Sequence, residues 1–130
     1  MQTNRMELVW VALAAVLAFF FVRAGIEKVM GDPAALLPFQ ESGLPGWTVY
    51  LTAAGEFIGS AALFVPRVRS LGAVLLVLVM IGAAVTNIVN GDVGYVWTNV
   101  LLGGGALVLA WQGRSHLLGN MGRREHPRVQ

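Results

Sequence analysis

The stretch LGAVLLVLVMIGAAVTNIV, residues 71–89, decides the fold. It carries no charge, and its polar residues Thr86 and Asn87 lie together near one end. As a helix rising about 1.5 Å per residue, it nearly covers the roughly 30 Å of a bilayer's hydrocarbon core. It shows no alternation of apolar and polar residues, so it does not read as a strand of a β-barrel. Working outward, a tight basic turn at Pro66–Arg69 separates it from an apolar run over 47–65. Asn90, Gly91 and Asp92 separate it from another over 93–111, and a further run covers 8–29. The expectation is a single all-α membrane domain of 130 residues. It is a four-helix bundle with spans at about 8–29, 47–65, 71–89 and 93–111 and a polar tail over 112–130. Composition agrees: 56% of residues are hydrophobic and 12% charged, against about a quarter charged in soluble domains.

The absences restrict the chemistry. Without cysteine there are no disulfides, thiolate metal sites or thiol exchange. Both histidines, His116 and His126, fall in the polar tail, which removes an intramembrane haem held by paired histidines. No metal site is expected. The pI near 9.7 does not indicate nucleic acid, because the basic residues are spread between apolar runs and form no patch with interleaved aromatics. The first run is longer than a signal-peptide core, and no small-x-small cleavage site follows at Phe21-Val22-Arg23, so it reads as a retained span.

Lysine and arginine set the expected orientation. Arg5 precedes the first span, Arg67 and Arg69 fill the second connection, and Arg114, Arg123, Arg124 and Arg128 follow the fourth. Seven of nine basic residues thus lie on one side, which places both termini in the cytoplasm. The expected location is the plasma membrane, of bacterial inner-membrane type, crossed several times. Trp10, Trp47, Tyr50, Tyr95, Trp97 and Trp111 sit near span ends, as interfacial aromatics do. The connection 31–46, with Pro33, Pro38 and Pro45 among apolar residues, suggests a short helix or re-entrant turn over the bundle, or equally an ordinary interfacial loop.

Within TAAGEFIGSAALFVP, residues 52–66, Glu56 lies near mid-span. Its helical neighbours are Thr52, Ala53, Gly59 and Ser60, a face of small side chains. Gly55 and Gly59, four apart, suit close approach of another helix. Glu56 therefore faces the bundle interior. A central acid costs roughly 2.5–3.5 kcal/mol on insertion scales, so it must be protonated or paired. Arg23, about 8 Å above the midplane of the first span, is the expected partner, with Glu27 one turn outward competing for it. Lys28 lies on a neighbouring face and is expected to snorkel outward. Thr86, Asn87, Thr98 and Asn99 add polar groups to the same half of the membrane. Together, Arg23, Glu27, Lys28, Thr52, Glu56, Asn87 and Asn99 are the candidate lining of an outward-opening pocket. No residue is assigned a catalytic role. Gly103-Gly104-Gly105 reads as close packing, since no Lys-Ser/Thr follows as in a phosphate loop.

These features resemble the DoxX-like family. Phe21-Val-Arg-Ala-Gly25-Ile-Glu-Lys28 is similar to the end of the family's first helix, and Ser42-Gly-Leu-Pro45 to the turn before its second. Gly55-Glu56-Phe-Ile-Gly59 resembles that helix's glycine-and-glutamate region, and Leu63-Phe-Val-Pro66-Arg67-Val-Arg69 the basic turn. Ile81-Gly-Ala-Ala-Val-Thr-Asn87-Ile resembles the close of the third helix, so the likeness covers roughly 18–113. Family members often carry histidine near Asn87; asparagine keeps the hydrogen bonding but cannot titrate, which argues against a proton relay or haem there.

The resemblance implies a membrane subunit linked to quinone-dependent electron transfer, or a protein that binds a lipophilic molecule or assists assembly of other membrane proteins. The leading expectation is a non-catalytic subunit that supports a membrane or peripheral oxidoreductase, with no intrinsic cofactor and a quinone as the candidate ligand. The alternative is a lipophilic-ligand binding protein or assembly factor. A self-contained enzyme using Glu56 as general acid and base ranks third. Small-residue faces make self-association another expectation.

Overall fold

The computed structural model describes residues 2–125, and every described element is helical. Helix α1 covers Gln2–Val29, α2 Pro33–Glu41, α3 Trp47–Ala62, α4 Arg69–Val89 and α5 Val93–Glu125. Three of these, within Arg5–Val29, Arg69–Val89 and Val93–Ser115, are long and apolar enough to cross a membrane. Helix α5 carries the backbone well into the expected polar tail. Side chains from His116 onward, and His126 and Arg128 entirely, lie outside the described residues.

The expected second span is shorter than its apolar run. Helix α3 has 16 residues, about 24 Å at helical rise. It stops ahead of Pro66, whose ring disfavours helical geometry at the residue before it. The run continues past Ala62 in tighter turns: Phe64 N donates to Ala61 O at 3.2 Å and Val65 N to Ala62 O at 3.1 Å, the i→i−3 pattern of a 3₁₀ end.

The helices are ordered α1, α3, α4, α5, with α5 returning to touch α1. Their inward stripes are legible residue by residue. Helix α1 buries Ala14, Leu17, Ala18 and Phe21, and α5 buries Ala106, Leu109 and Ala110. With Leu63, Ala73 and Leu76, all of these except Ala18 form one apolar core. Outward-facing residues such as Phe19, Leu78, Ile81, Leu101 and Leu107 are apolar too, as on helices whose solvent is lipid.

Glycines sit where helices come closest. A Cβ on Gly72 would lie 2.5 Å from Ala62 Cβ, and one on Gly59 would lie 2.7 Å from Leu76, so α3 and α4 cross at this pair. Gly55 meets Val79 at an ordinary 3.4 Å, so the expected two-glycine seam reduces to Gly59 with Gly72. Gly103 packs on Met80 and Gly105 on Leu17, while Gly104 faces open space.

Of the readings open for the connection 31–46, the short helix is the one present, as α2, which touches α1, α3 and α4. Gly31, at φ 78°, lets α1 end in a left-handed turn: Asp32 N donates to Glu27 O and Gly31 N to Lys28 O, the Schellman pattern. Asp32 then caps α2 by accepting from Ala34 N at 3.0 Å, ahead of Pro33 in the first turn. Asn90, in the α4–α5 turn, holds α2 in place. Its Nδ2 donates to Pro38 O and its Oδ1 accepts from Ser42 Oγ, both at 3.0 Å. Asn90→Ala removes both bonds, at about 1 kcal/mol each. Hydrogen exchange should accelerate across Pro33–Glu41 and stay unchanged in α4.

Candidate functional site

Glu56 is buried, 1% exposed, on the inward face that its neighbours predict. Its partner is not Arg23. Lys28 Nζ lies 2.7 Å from Glu56 Oε1, and the lysine is itself mostly buried. Arg23 instead pairs with Glu27 at 3.0 Å on the outer surface, its side chain 67% exposed. The reason is helical phase. Phe21, Gly25 and Lys28 continue the stripe that buries Ala14, Leu17 and Ala18, whereas Arg23, two residues past Phe21, points about 200° away. Gly25 lies against the ring of Phe57, so this stripe is the one that α3 packs on. Lys28 therefore turns inward instead of snorkelling to the surface, and Arg23 is satisfied one turn along its own helix.

The other polar residues expected near Glu56 are not among the walls of the cavity described below. Thr52 Oγ1 donates to Thr48 O at 2.8 Å and Thr86 Oγ1 to Gly82 O at 2.9 Å, so each hydroxyl is satisfied on its own helix. Thr98 is exposed. Asn87 is buried on α4. Asn99 is half-buried, its Nδ2 without a hydrogen-bond partner. Along α3, Glu56 Oε2 and Ser60 Oγ are also buried and unpartnered.

A cavity of about 230 Å³ lies beneath α2, between the end of α1 and the start of α3. Lys28, Leu36, Phe39, Leu44, Val49 and Tyr50 are among its walls. Lys28 thus joins the buried Glu56 to a mainly apolar chamber, whose walls also include Gln40, on the same end of the molecule as α2. Lys28 Nζ also approaches Ala24 O, at 3.5 Å. An ammonium has three N–H groups, so one remains for something in the cavity. Among the described residues, no three His, Asp or Glu side chains converge where a metal could sit.

At the opposite end, Arg69, read from sequence as a turn residue setting topology, is 2% exposed. Its Nε donates to Leu63 O at 2.7 Å, and Nη1 lies 3.9 Å from Glu7. Ser70 Oγ donates to Ala110 O at 2.7 Å, tying α4 to α5. A signal for this existed in the sequence: Arg69 and Ser70 begin the stripe that continues through Gly72, Ala73 and Leu76.

Apolar outer faces, long apolar helices and a charged pair buried between two of them define a multi-pass helical membrane protein. The sequence matches the DoxX-like family over residues 12–112, and the chain belongs to that family. No curated protein and no solved structure matches it. Two features quoted above for the family likeness, the Lys28 end of the first helix and the Glu56 region of the second, meet as one ion pair.

Proposed function

We propose that this protein is a plasma-membrane four-helix bundle that binds a small lipophilic molecule in the chamber under α2, without itself catalysing redox chemistry. The observation that carries the reading is Lys28, which lines a mainly apolar cavity of about 230 Å³ and pairs behind it with Glu56 at 2.7 Å. Ligand sites are mostly apolar, with a few polar groups fixing orientation. Ionisable residues within membranes are costly and mark such sites. A neutral lipophile with an acceptor oxygen suits the free N–H of Lys28, and the head of a quinone is one such group. On this reading, support of an oxidoreductase would run through the bound molecule.

Helix α3 is read as the fourth span because its 3₁₀ extension to Val65 adds about 6 Å to about 24 Å. The bias of Arg5, Arg67, Arg69 and Arg114 to one end supports cytoplasmic termini.

Calorimetric titration of the detergent-purified protein with a short-chain quinone tests the site. Saturable binding is expected, weakened at least about tenfold, or 1.4 kcal/mol, by Leu36→Trp, which fills the chamber without touching the ion pair. If the unmodified protein binds no such molecule and none co-purifies with it, the reading is lost.

A further inference from the structure

We infer that Lys28 captures lipophilic aldehydes covalently and reversibly as a protonated Schiff base, with Glu56 as proton acceptor and then counter-ion. The inference rests on the chamber under α2 being a binding site and goes beyond it by naming a bond and a class of ligand.

Four observations converge. Lys28 is the only lysine in the sequence, and all the other basic residues are arginine. It is the one that lines the chamber and is also ion-paired with a buried carboxylate. For a bond that merely ties two helices, arginine would serve better, since its planar fork satisfies both carboxylate oxygens. Here Glu56 Oε2 is left without a partner. What lysine has that arginine lacks is a nitrogen that becomes a nucleophile once it gives up a proton, and a carboxylate to receive that proton stands 2.7 Å away.

The chemistry balances without any other reactant. The Nζ proton passes to Glu56 Oε1, and the nitrogen lone pair adds to the aldehyde carbon. The C–N bond forms as the carbonyl π pair moves to oxygen, which takes a proton from nitrogen to give a carbinolamine. Glu56 returns its proton to that hydroxyl, water leaves, and a C=N⁺–H cation remains facing the Glu56 carboxylate. One cation and one carboxylate stand there before and after, one water is released, and no electrons change hands. The apolar walls at Leu36, Phe39, Leu44 and Val49 would receive the aldehyde's hydrocarbon part. An apolar cavity of about 150 Å³ holds benzene, so the larger chamber accommodates an aromatic ring with its formyl group.

The test uses the full chain in detergent or nanodiscs, with benzaldehyde and cyanoborohydride, read by intact mass and peptide mapping. One benzyl group should appear on Lys28, at least about tenfold faster than on a lysine in an unstructured peptide, a barrier difference of about 1.4 kcal/mol. Lys28→Arg, which keeps the cation, should fold with unchanged helix content and lose the adduct. Glu56→Gln should slow it. Benzyl alcohol, which fits the chamber but forms no imine, should slow labelling in the unmodified protein. Saturable binding of benzyl alcohol without a Lys28 adduct overturns the inference and leaves the binding site standing. An adduct that benzyl alcohol does not slow also overturns it, because the chamber is then not its seat. Failure of both probes to bind removes the site and the inference together.

Discussion

Lys28→Met should destabilise the folded protein by about 3–5 kcal/mol, the range for removing one member of a buried ion pair. The substitution keeps an unbranched side chain of similar length, so the apolar stem of Lys28 is largely replaced and little of the loss comes from packing. The loss comes from Glu56, which is 1% exposed and keeps no other hydrogen bond among the described residues once Nζ is gone. The asymmetry of such pairs provides the control. Replacing both charges with apolar residues is often neutral or stabilising, so Lys28→Met with Glu56→Leu should recover most of the loss. Arg23→Met is the second comparison. Its pair with Glu27 is solvent-side, with side chains 67% and 38% exposed, and such pairs contribute about 0–1 kcal/mol. Denaturant titration in a fixed detergent, followed by circular dichroism, puts the three variants and the unmodified protein on one scale. If Arg23→Met cost more than Lys28→Met, the assignment of the buried pair would be wrong.

That comparison also marks where the sequence stopped being legible. The inward turn of Glu56 could be read because Thr52, Ala53, Gly59 and Ser60 identify its face without reference to any other helix. Its partner could not be read the same way. Choosing between Arg23 and Lys28 requires the rotation of α1 against α3, and five positions along a helix turn a side chain by about 140°. Depth alone favoured Arg23. The deciding pattern, Ala14, Leu17, Ala18, Phe21, Gly25 and Lys28 on one stripe, was present but overshadowed by an apolar run in which nearly every face is hydrophobic. In lipid, hydrophobicity does not separate inside from outside; small size and polarity do. The same blindness hid Arg69, whose position in a basic turn suggested only topology, while Ser70 and Gly72 beside it were already the start of a buried stripe. The three long apolar helices and the connections were readable because they depend on local composition. The chamber was not, because α2 closes over it through Asn90 and Ser42, 48 residues apart.

Gly72→Ala should be the most damaging glycine-to-alanine change among the described residues, at about 1–3 kcal/mol, the usual range for overpacking a tight interior. The added carbon would sit 2.5 Å from Ala62 Cβ and 2.9 Å from Gly59 O. Neither atom is the end of a flexible side chain that could swing away, so α3 and α4 themselves must separate. Gly59→Ala meets Leu76 Cδ2 at 2.7 Å and Gly72 O at 3.2 Å. There the closest atom belongs to a side chain that can change rotamer, so its loss should be smaller. Gly82→Ala and Gly104→Ala meet nothing within 4 Å and should stabilise by up to about 1 kcal/mol through helix propensity. The order Gly72, Gly59, then Gly82 and Gly104 is the prediction, read from unfolding midpoints at constant detergent. Because Glu56 precedes Gly59 by one turn on the same helix, separating α3 from α4 also disturbs the height at which the carboxylate meets Lys28. Gly72→Ala should therefore weaken quinone binding in the chamber, although the residue lines no part of it, and Gly82→Ala should leave binding unchanged. If Gly72→Ala were as benign as Gly104→Ala, α3 and α4 would not cross where these glycines meet.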